Sequence, residues 1–155
     1  MRSALALARK DAVKKLKAAG VEDKIVVKLH AITLSEAVGQ YRGGSQFRGA
    51  PIFWISDNVA LWDRFEPTDL VRGMTLTILH EYGHVVWEYL RVRHTHNQDA
   101  RKLWDDLRAL STGSASEDEE EFAEAFAQSL YWGKQTEAMR FAGRYGALLR
   151  ANEGL

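Results

Sequence analysis

The chain has 155 residues, 46% of them hydrophobic, which is enough to bury one substantial core. Its 21 basic residues balance its 21 acidic residues, so it has no net field that favours nucleic acid or an anionic membrane. It has no cysteine, which excludes disulfides and thiolate metal sites and leaves histidine, aspartate and glutamate as the strong metal ligands. The opening apolar run is too short and too charged for a secretion signal or a membrane span. We expect one cytoplasmic domain over residues 1–155, with no nucleic acid or membrane partner.

The first half of the chain predicts a helix followed by strands. Small and apolar residues recur at helical spacing over Ser3–Ala19, and Gly20 is placed to end that helix. Lys24–Thr33 is rich in β-branched residues and predicts a strand. A glycine-rich stretch then leads to the apolar segment IFWIS (Ile52–Ser56), which predicts a second strand. Pro51 at its start favours an edge position, because proline cannot donate to a neighbouring strand.

The second half of the chain has a helical pattern from about Asp69 to the end. Interruptions are expected as a turn near His94–Asn97, a loop at Ser111–Ser116 and a break at Gly133. A short half with strands followed by a helical half predicts an α+β fold.

The segment LTILHEYGHVVWEYL (Leu76–Leu90) contains the H-E-x-x-H pattern. His80 and His84 lie one helical turn apart, so both imidazoles can point at one atom. In this pattern the two histidines bind zinc, and the glutamate between them, here Glu81, acts on the water that the metal activates. The alternative is a pair of hydrogen-bonded histidines on a half-buried helix, with the motif arising by chance.

A catalytic zinc site needs a third protein ligand. His94 lies ten residues beyond His84, about 15 Å along a straight helix, and His96 lies farther still. Asp99, Asp105 and Asp106 are available, although an amphipathic segment explains them as its solvated face. The acidic run SEDEEEFAEAF (Ser116–Phe126) is the best remaining source.

The acidic run combines helix-capping and buried positions. Ser116 and Glu119 have the spacing of a capping box, which explains part of the charge without a function. Glu124 is embedded in FAEAFA, where a carboxylate needs a metal, a metal-bound histidine or a cation as its partner. Helical spacing leaves two candidate carboxylate pairs, Glu120 with Glu124 and Glu117 with Glu121.

HEYGH followed after a helix by EEFAEAF resembles the gluzincin metallopeptidases, especially compact catalytic domains similar to that of anthrax lethal factor. The resemblance covers roughly residues 39–130 and includes the glycine-rich stretch and the strand PIFWIS. It implies a compact zincin-like domain, in which a small N-terminal sheet with an edge strand over the cleft precedes a helical half that carries the motif helix and a glutamate-bearing helix. The roles implied are zinc ligation by His80, His84 and Glu120, general-base catalysis by Glu81, and support of a ligand histidine by Glu124.

The same resemblance implies zinc-dependent hydrolysis of peptide bonds, with a peptide or protein substrate. It implies strand addition along IFWIS, so that Ile52, Phe53, Trp54 and Ile55 bind the substrate. It leaves the residue that stabilises the oxyanion unassigned, with Tyr41, Tyr82, Tyr131 and Tyr145 as candidates. Two other functions remain open: a non-catalytic zincin-fold module that binds an extended peptide with zinc as a structural ion, and a helical interaction domain with an accidental motif.

Overall fold

The computed structural model describes residues 2–23, 25–30, 39–47, 50–56, 67–110, 115–134 and 137–153. One helix, three strands and four further helices follow one another within these ranges, which confirms the α+β prediction. The predicted loop at Ser111–Ser116 falls largely on residues 111–114, outside the described ranges, and the next helix begins at Ala115. The elements are α1 (Arg2–Ala18), β1 (Val26–His30), β2 (Gly39–Phe47), β3 (Ala50–Ser56), α2 (Pro67–Arg93), α3 (Gln98–Leu110), α4 (Ala115–Trp132) and α5 (Glu137–Glu153).

The three strands form one mixed sheet in the order β1-β3-β2. β1 is parallel to β3, with Val26 opposite Ile52, and β2 is antiparallel to β3, with Gly39 opposite Ile55. The prediction that IFWIS is an edge strand is therefore wrong, because β3 is paired on both sides. Pro51 is tolerated because it precedes Ile52, where the ladder with β1 begins, so its missing N–H removes no bond to that strand.

The strand β2 falls in the glycine-rich stretch, for which no strand was predicted. Its sequence GQYRGGSQF lacks the β-branched residues by which strands are recognised. Pairing with the apolar strand β3 forms it, and its register shifts between Tyr41 and Gln46. An edge strand that is poor in side chains can pack closely against a neighbouring helix.

The prediction of the first helix is confirmed, and α1 is fastened to the segments that follow it. Gly20 has a φ of 93° just after the helix, a conformation that glycine adopts readily. The guanidinium of Arg9 donates to the carbonyl oxygen of Ile25 at 3.1 and 3.3 Å, at the start of β1. Arg150 on α5 donates to the carbonyl oxygen of Gly20 at 2.8 Å, which joins the C-terminal helix to this turn.

The helix α2 lies against α1, α4 and the sheet. Leu79, Val86 and Leu90 recur at helical spacing and are fully buried along its length. At Gly83 the backbone of α4 comes so close that an added Cβ would lie 2.7 Å from the Cα of Ala123. This close approach brings the histidine face of α2 opposite the acidic face of α4. Among the described residues, no helix is long and apolar enough to cross a membrane.

Candidate metal centre

His80 and His84 project from consecutive turns of α2, and their rings approach each other as their i,i+4 spacing requires. Their ring centroids are 5.0 Å apart, and their Nε2 atoms are 3.3 Å apart. Both side chains are partly buried between α2 and α4. The two nitrogens therefore point at one small volume.

Three glutamates of α4 surround the two imidazoles. Glu120 places Oε2 3.1 Å from Nε2 of His80 and Oε1 3.1 Å from Nε2 of His84. Glu124 lies 3.1 Å from Nδ1 of His80, and Glu119 lies 3.1 Å from Nδ1 of His84. Each ring is thus held at both nitrogens by carboxylates from a helix more than thirty residues away.

With neutral imidazoles, this cluster has too few N–H donors for all of its nitrogen–carboxylate contacts to be hydrogen bonds. An ionised carboxylate can only accept, and a carboxylate faces both nitrogens of each ring. A neutral imidazole has one N–H, so one of its two carboxylate contacts has no hydrogen. In the tautomer with the hydrogen on Nδ1, the two Nε2 lone pairs and the Glu120 carboxylate converge without a hydrogen between them. Either protons on the rings or a bound cation must compensate for this arrangement.

Glu81 lies between the two histidines in sequence and points into the same region. One ligand atom from each of His80, Glu81 and His84 lies within 4.8 Å of the other two, so these residues could hold a metal ion. The side chain of Glu81 is only 8% exposed. Burial raises the pKa of its carboxyl above the ordinary value, while His84, His80 and the backbone N–H of Tyr41 oppose that rise.

A cleft of about 450 Å³ opens beside the cluster, within the size range of small-ligand sites. It runs from Glu81 and His84 along α2 and is bounded on one side by β2. Its lining residues in the described chain are Gly39, Tyr41, Glu81, His84, Trp87, Glu88, Arg91, Glu119 and Glu120.

None of the four predicted substrate-binding residues of IFWIS lines this cleft. Phe53 and Ile55 are fully buried, Ile52 is almost fully buried, and Trp54 is half-buried. The aromatic ring of Phe53 contacts the ring of Tyr82 edge to face, at a centroid distance of 6.4 Å. The strand belongs to the core because both its ladders are occupied, and the edge strand beside the cleft is β2.

The four candidate tyrosines for oxyanion stabilisation occupy different environments. Tyr82 and Tyr145 are buried in the core, and burial raises the pKa of both well above the ordinary value. Tyr131 packs beneath the ammonium of Lys15, 4.8 Å from its ring centroid. Tyr41 lines the cleft, where its hydroxyl donates to Glu88 Oε2 at 2.7 Å.

The other residues weighed as third ligands have separate contacts. His94 stacks on Trp104 with a centroid distance of 5.2 Å, and its Nδ1 lies 3.2 Å from the carbonyl oxygen of Leu90. Asp106 pairs with Arg144 at 2.7 Å. Asp99 and Asp105 are exposed on α3.

Sequence reasoning missed Glu119 as a partner of His84. Its spacing from Ser116 suggested a helix cap. Spacing in the sequence does not show whether the Glu119 side chain points to its own helix end or to α2. It also missed Tyr41 and Glu88 as a pair, because 47 residues separate them in the chain. The one available signal was the seven-residue spacing of Glu81 and Glu88, which places both on one face of α2.

Comparison of the chain with protein-family models, with curated proteins and with solved structures found no match. The function is therefore argued from the geometry and chemistry of the site.

Proposed function

We propose that this chain is a zinc-dependent endopeptidase, with His80, His84 and Glu120 as the zinc ligands. One observation carries the proposal: the two Nε2 atoms and a carboxylate converge within 3.1–3.3 Å of one another, beside a buried glutamate in an open cleft. The arrangement supports the motif part of the gluzincin resemblance, since HEYGH and the acidic run meet here, whereas the strand PIFWIS lies outside the cleft.

The spacing of the three groups fits zinc. Zinc binds imidazole nitrogen and carboxylate oxygen at about 2.0–2.2 Å in a tetrahedron, so two ligand atoms on it lie about 3.3–3.5 Å apart. The Nε2–Nε2 distance is 3.3 Å, and the Nε2–Oε distances to Glu120 are 3.1 Å. A set of two imidazoles and one carboxylate suits zinc, and it leaves a fourth position for water or substrate. Glu120 fits the third position better than Glu81 because it lies closer to both nitrogens.

Bound zinc would supply Lewis acidity, which polarises the scissile carbonyl and makes the attacking water more acidic. Glu81 accepts a proton from that water as the new C–O bond forms, then transfers it to the amine nitrogen as the C–N bond breaks. The carboxylate is thereby regenerated. Glu124 and Glu119 hold the protons at Nδ1 of the two histidines, which keeps both Nε2 atoms unprotonated and oriented.

An extended peptide is the substrate that the cleft fits best. The edge strand β2 borders the cleft beside Glu81 and His84, and an edge strand can add a peptide through main-chain hydrogen bonds. In this proposal the substrate peptide adds to β2, and not to IFWIS as expected from the sequence. A peptide added to β2 would lie beside Glu81 and His84.

Metal analysis and turnover of a diverse peptide library test the proposal together. The zinc-reconstituted protein is expected to hold one equivalent of zinc and to cleave peptides. Glu81→Gln is expected to keep the zinc and lose the cleavage, because the amide preserves the shape without the base. Glu121→Gln, an exposed neighbour on α4, is the matched control and should behave as the parent.

The outcomes separate the competing functions. Far less than one equivalent of zinc would contradict the metal site. A full zinc site with no turnover of any peptide would favour the non-catalytic module that binds an extended partner. Equal turnover by Glu81→Gln and the parent would exclude Glu81 as the base.

A further inference from the structure

Tyr41 on β2 contacts two glutamates of α2 at once. Its backbone N–H hydrogen-bonds the carboxylate of Glu81, and its hydroxyl donates to Oε2 of Glu88 at 2.7 Å. Glu81 and Glu88 are seven residues apart, so they lie on the same face of α2 about two turns from each other. A single residue thus connects the proposed base to a second carboxylate in the same cleft.

The backbone of β2 lies directly against α2 at this point. An added Cβ at Gly39 would collide with the side chain of Thr77 and would lie 3.7 Å from Cγ of Glu81. The position of the Glu81 side chain therefore depends on where β2 lies.

Beyond Tyr41, the pairing of β2 with β3 is interrupted. The strand pairs with β3 through its first three residues and again at Gln46 and Phe47, with a register shift in between. Where the ladder is interrupted, fewer inter-strand hydrogen bonds restrain the backbone of a strand. A contact with α2 at Tyr41 therefore restrains the strand where its pairing changes.

The hydroxyl contact is suited to this restraint. The ring of Tyr41 packs edge to face on the buried ring of Phe53 at a centroid distance of 5.8 Å, which limits its rotamers. A short O–H donor to a carboxylate belongs to the stronger class of hydrogen bonds. Loss of such a bond to a charged group changes an equilibrium by about 10–100-fold.

We propose that Glu88 is a positioning residue: through the hydroxyl of Tyr41 it fixes β2 against α2, and the Tyr41 N–H then orients the Glu81 carboxylate. The role of the base rests on the proposed peptidase function. The chain of contacts from Glu88 through Tyr41 to Glu81 does not rest on that function, and it can be measured without turnover.

Hydrogen exchange and amide NMR on the full chain test the link. Tyr41→Phe keeps the ring and removes the donor, while Glu88→Leu removes the acceptor. Both are expected to raise the exchange rates of the amides of residues 39–41 by about 10–100-fold and to shift the Tyr41 amide resonance in the direction produced by Glu81→Gln. Glu88→Gln, which keeps an acceptor oxygen, is expected to rescue most of this loss. The control Tyr131→Phe removes a hydroxyl on α4 and should leave these amides unchanged.

The double variant Tyr41→Phe/Glu88→Leu separates a direct link from two independent effects. It should exchange no faster than either single variant, because both substitutions delete the same bond. Three results would each overturn the proposal: unchanged exchange in the single variants, additive effects in the double variant, or a Tyr41 amide resonance that does not shift.

Turnover supplies an independent comparison. With an active parent, Glu88→Leu should lower kcat with little change in KM or in zinc affinity, because the base is misplaced while the ligands are intact. A rise in KM alone would overturn the positioning role in favour of substrate binding. An inactive parent would count against the proposed function, and the exchange measurements would still decide the link.

Discussion

At the residue scale, the centre depends on which nitrogen of each imidazole carries the proton. Glu124 and Glu119 each contact an Nδ1 atom, while Glu120 contacts both Nε2 atoms. Neighbouring glutamates of one helix therefore have different chemical tasks. In the proposed zinc site the carboxylates at Nδ1 accept the ring N–H and fix ring orientation, whereas the carboxylate at Nε2 adds negative charge where a cation would bind.

Glu120→Ala is expected to remove stable zinc binding. It deletes a ligand, so the loss of affinity should exceed the roughly 10–100-fold that an outer partner contributes. Zinc titration against a competing chelator measures the loss. Glu121→Ala changes an exposed residue one position along the helix and should retain the affinity of the parent. Similar losses in the two variants would point to a general effect on α4.

Glu119→Ala is expected to lower zinc affinity by about 10–100-fold, because His84 loses the acceptor that orients its ring. The capping interpretation from the sequence predicts a different result: lower helix stability with zinc affinity nearly unchanged. The same titration, paired with urea unfolding of the metal-free protein, distinguishes the two roles. An affinity equal to that of the parent would show that the contact with His84 does not support the site.

At the element scale, the crossing of α2 and α4 sets the distance between histidines and glutamates. Gly83, between the two histidines, allows the backbones to meet at Ala123. A side chain there would push the helices apart, since the nearest atom is the Cα of Ala123 rather than the end of a flexible side chain. The candidate metal centre is thus formed by a contact between helices.

Gly83→Ala is expected to destabilise the protein and weaken zinc binding. Overpacking costs about 1–3 kcal/mol, which outweighs the gain of up to about 1 kcal/mol that alanine brings to a helix. Urea unfolding and zinc titration measure both effects. Gly143→Ala on α5 is the control: its Cβ would lie 3.5 Å from the carbonyl oxygen of Ala19, an ordinary contact, so it should stabilise the protein slightly. A Gly83→Ala variant as stable as the parent would contradict the close crossing.

At the scale of the whole molecule, buried tyrosines connect the two halves of the chain. The hydroxyl of Tyr82 on α2 donates to Asp23, just before β1, at 2.6 Å. The ring of Tyr145 on α5 packs edge to face on the ring of Tyr82, at a centroid distance of 6.4 Å. Burial raises the pKa of both tyrosines well above the ordinary value, and for Tyr82 the nearby Tyr145 and Asp23 add to the rise.

These two tyrosines predict a loss of stability in alkali. Below about pH 10 both are neutral in the folded and the unfolded chain, so their contribution to stability is fully present. Above that pH the unfolded chain releases protons that the folded chain retains, and the free energy of unfolding falls by up to about 1.4 kcal/mol per pH unit for each tyrosine. Urea unfolding between pH 8 and pH 11 measures the slope. Tyr145→Phe should have a shallower alkaline slope than the parent, and equal slopes would contradict the prediction.

Features that depend on local spacing could be predicted from the sequence. Helical periodicity placed α1 and α2, and the i,i+4 rule brought the His80 and His84 rings together, because residues one turn apart are neighbours whatever surrounds the helix. The same rule put Glu120 and Glu124 on one face of α4. The expectation that Glu124 is buried was wrong, because its side chain is 59% exposed. The assignment of Glu120 as a zinc ligand stays a prediction that the titration will test.

Features that depend on partners distant in the chain became visible in the folded molecule. Strand order is one: the apolar sequence of β3 is compatible with an edge or a centre, and pairing with β1 and β2 placed it in the centre. The orientation of Glu119 toward His84 is another, since a side chain on a helix chooses between its own helix end and a neighbouring helix. The contact of Tyr41 with Glu88 is the third. Each of these is fixed by long-range packing, which the local pattern of a sequence does not encode.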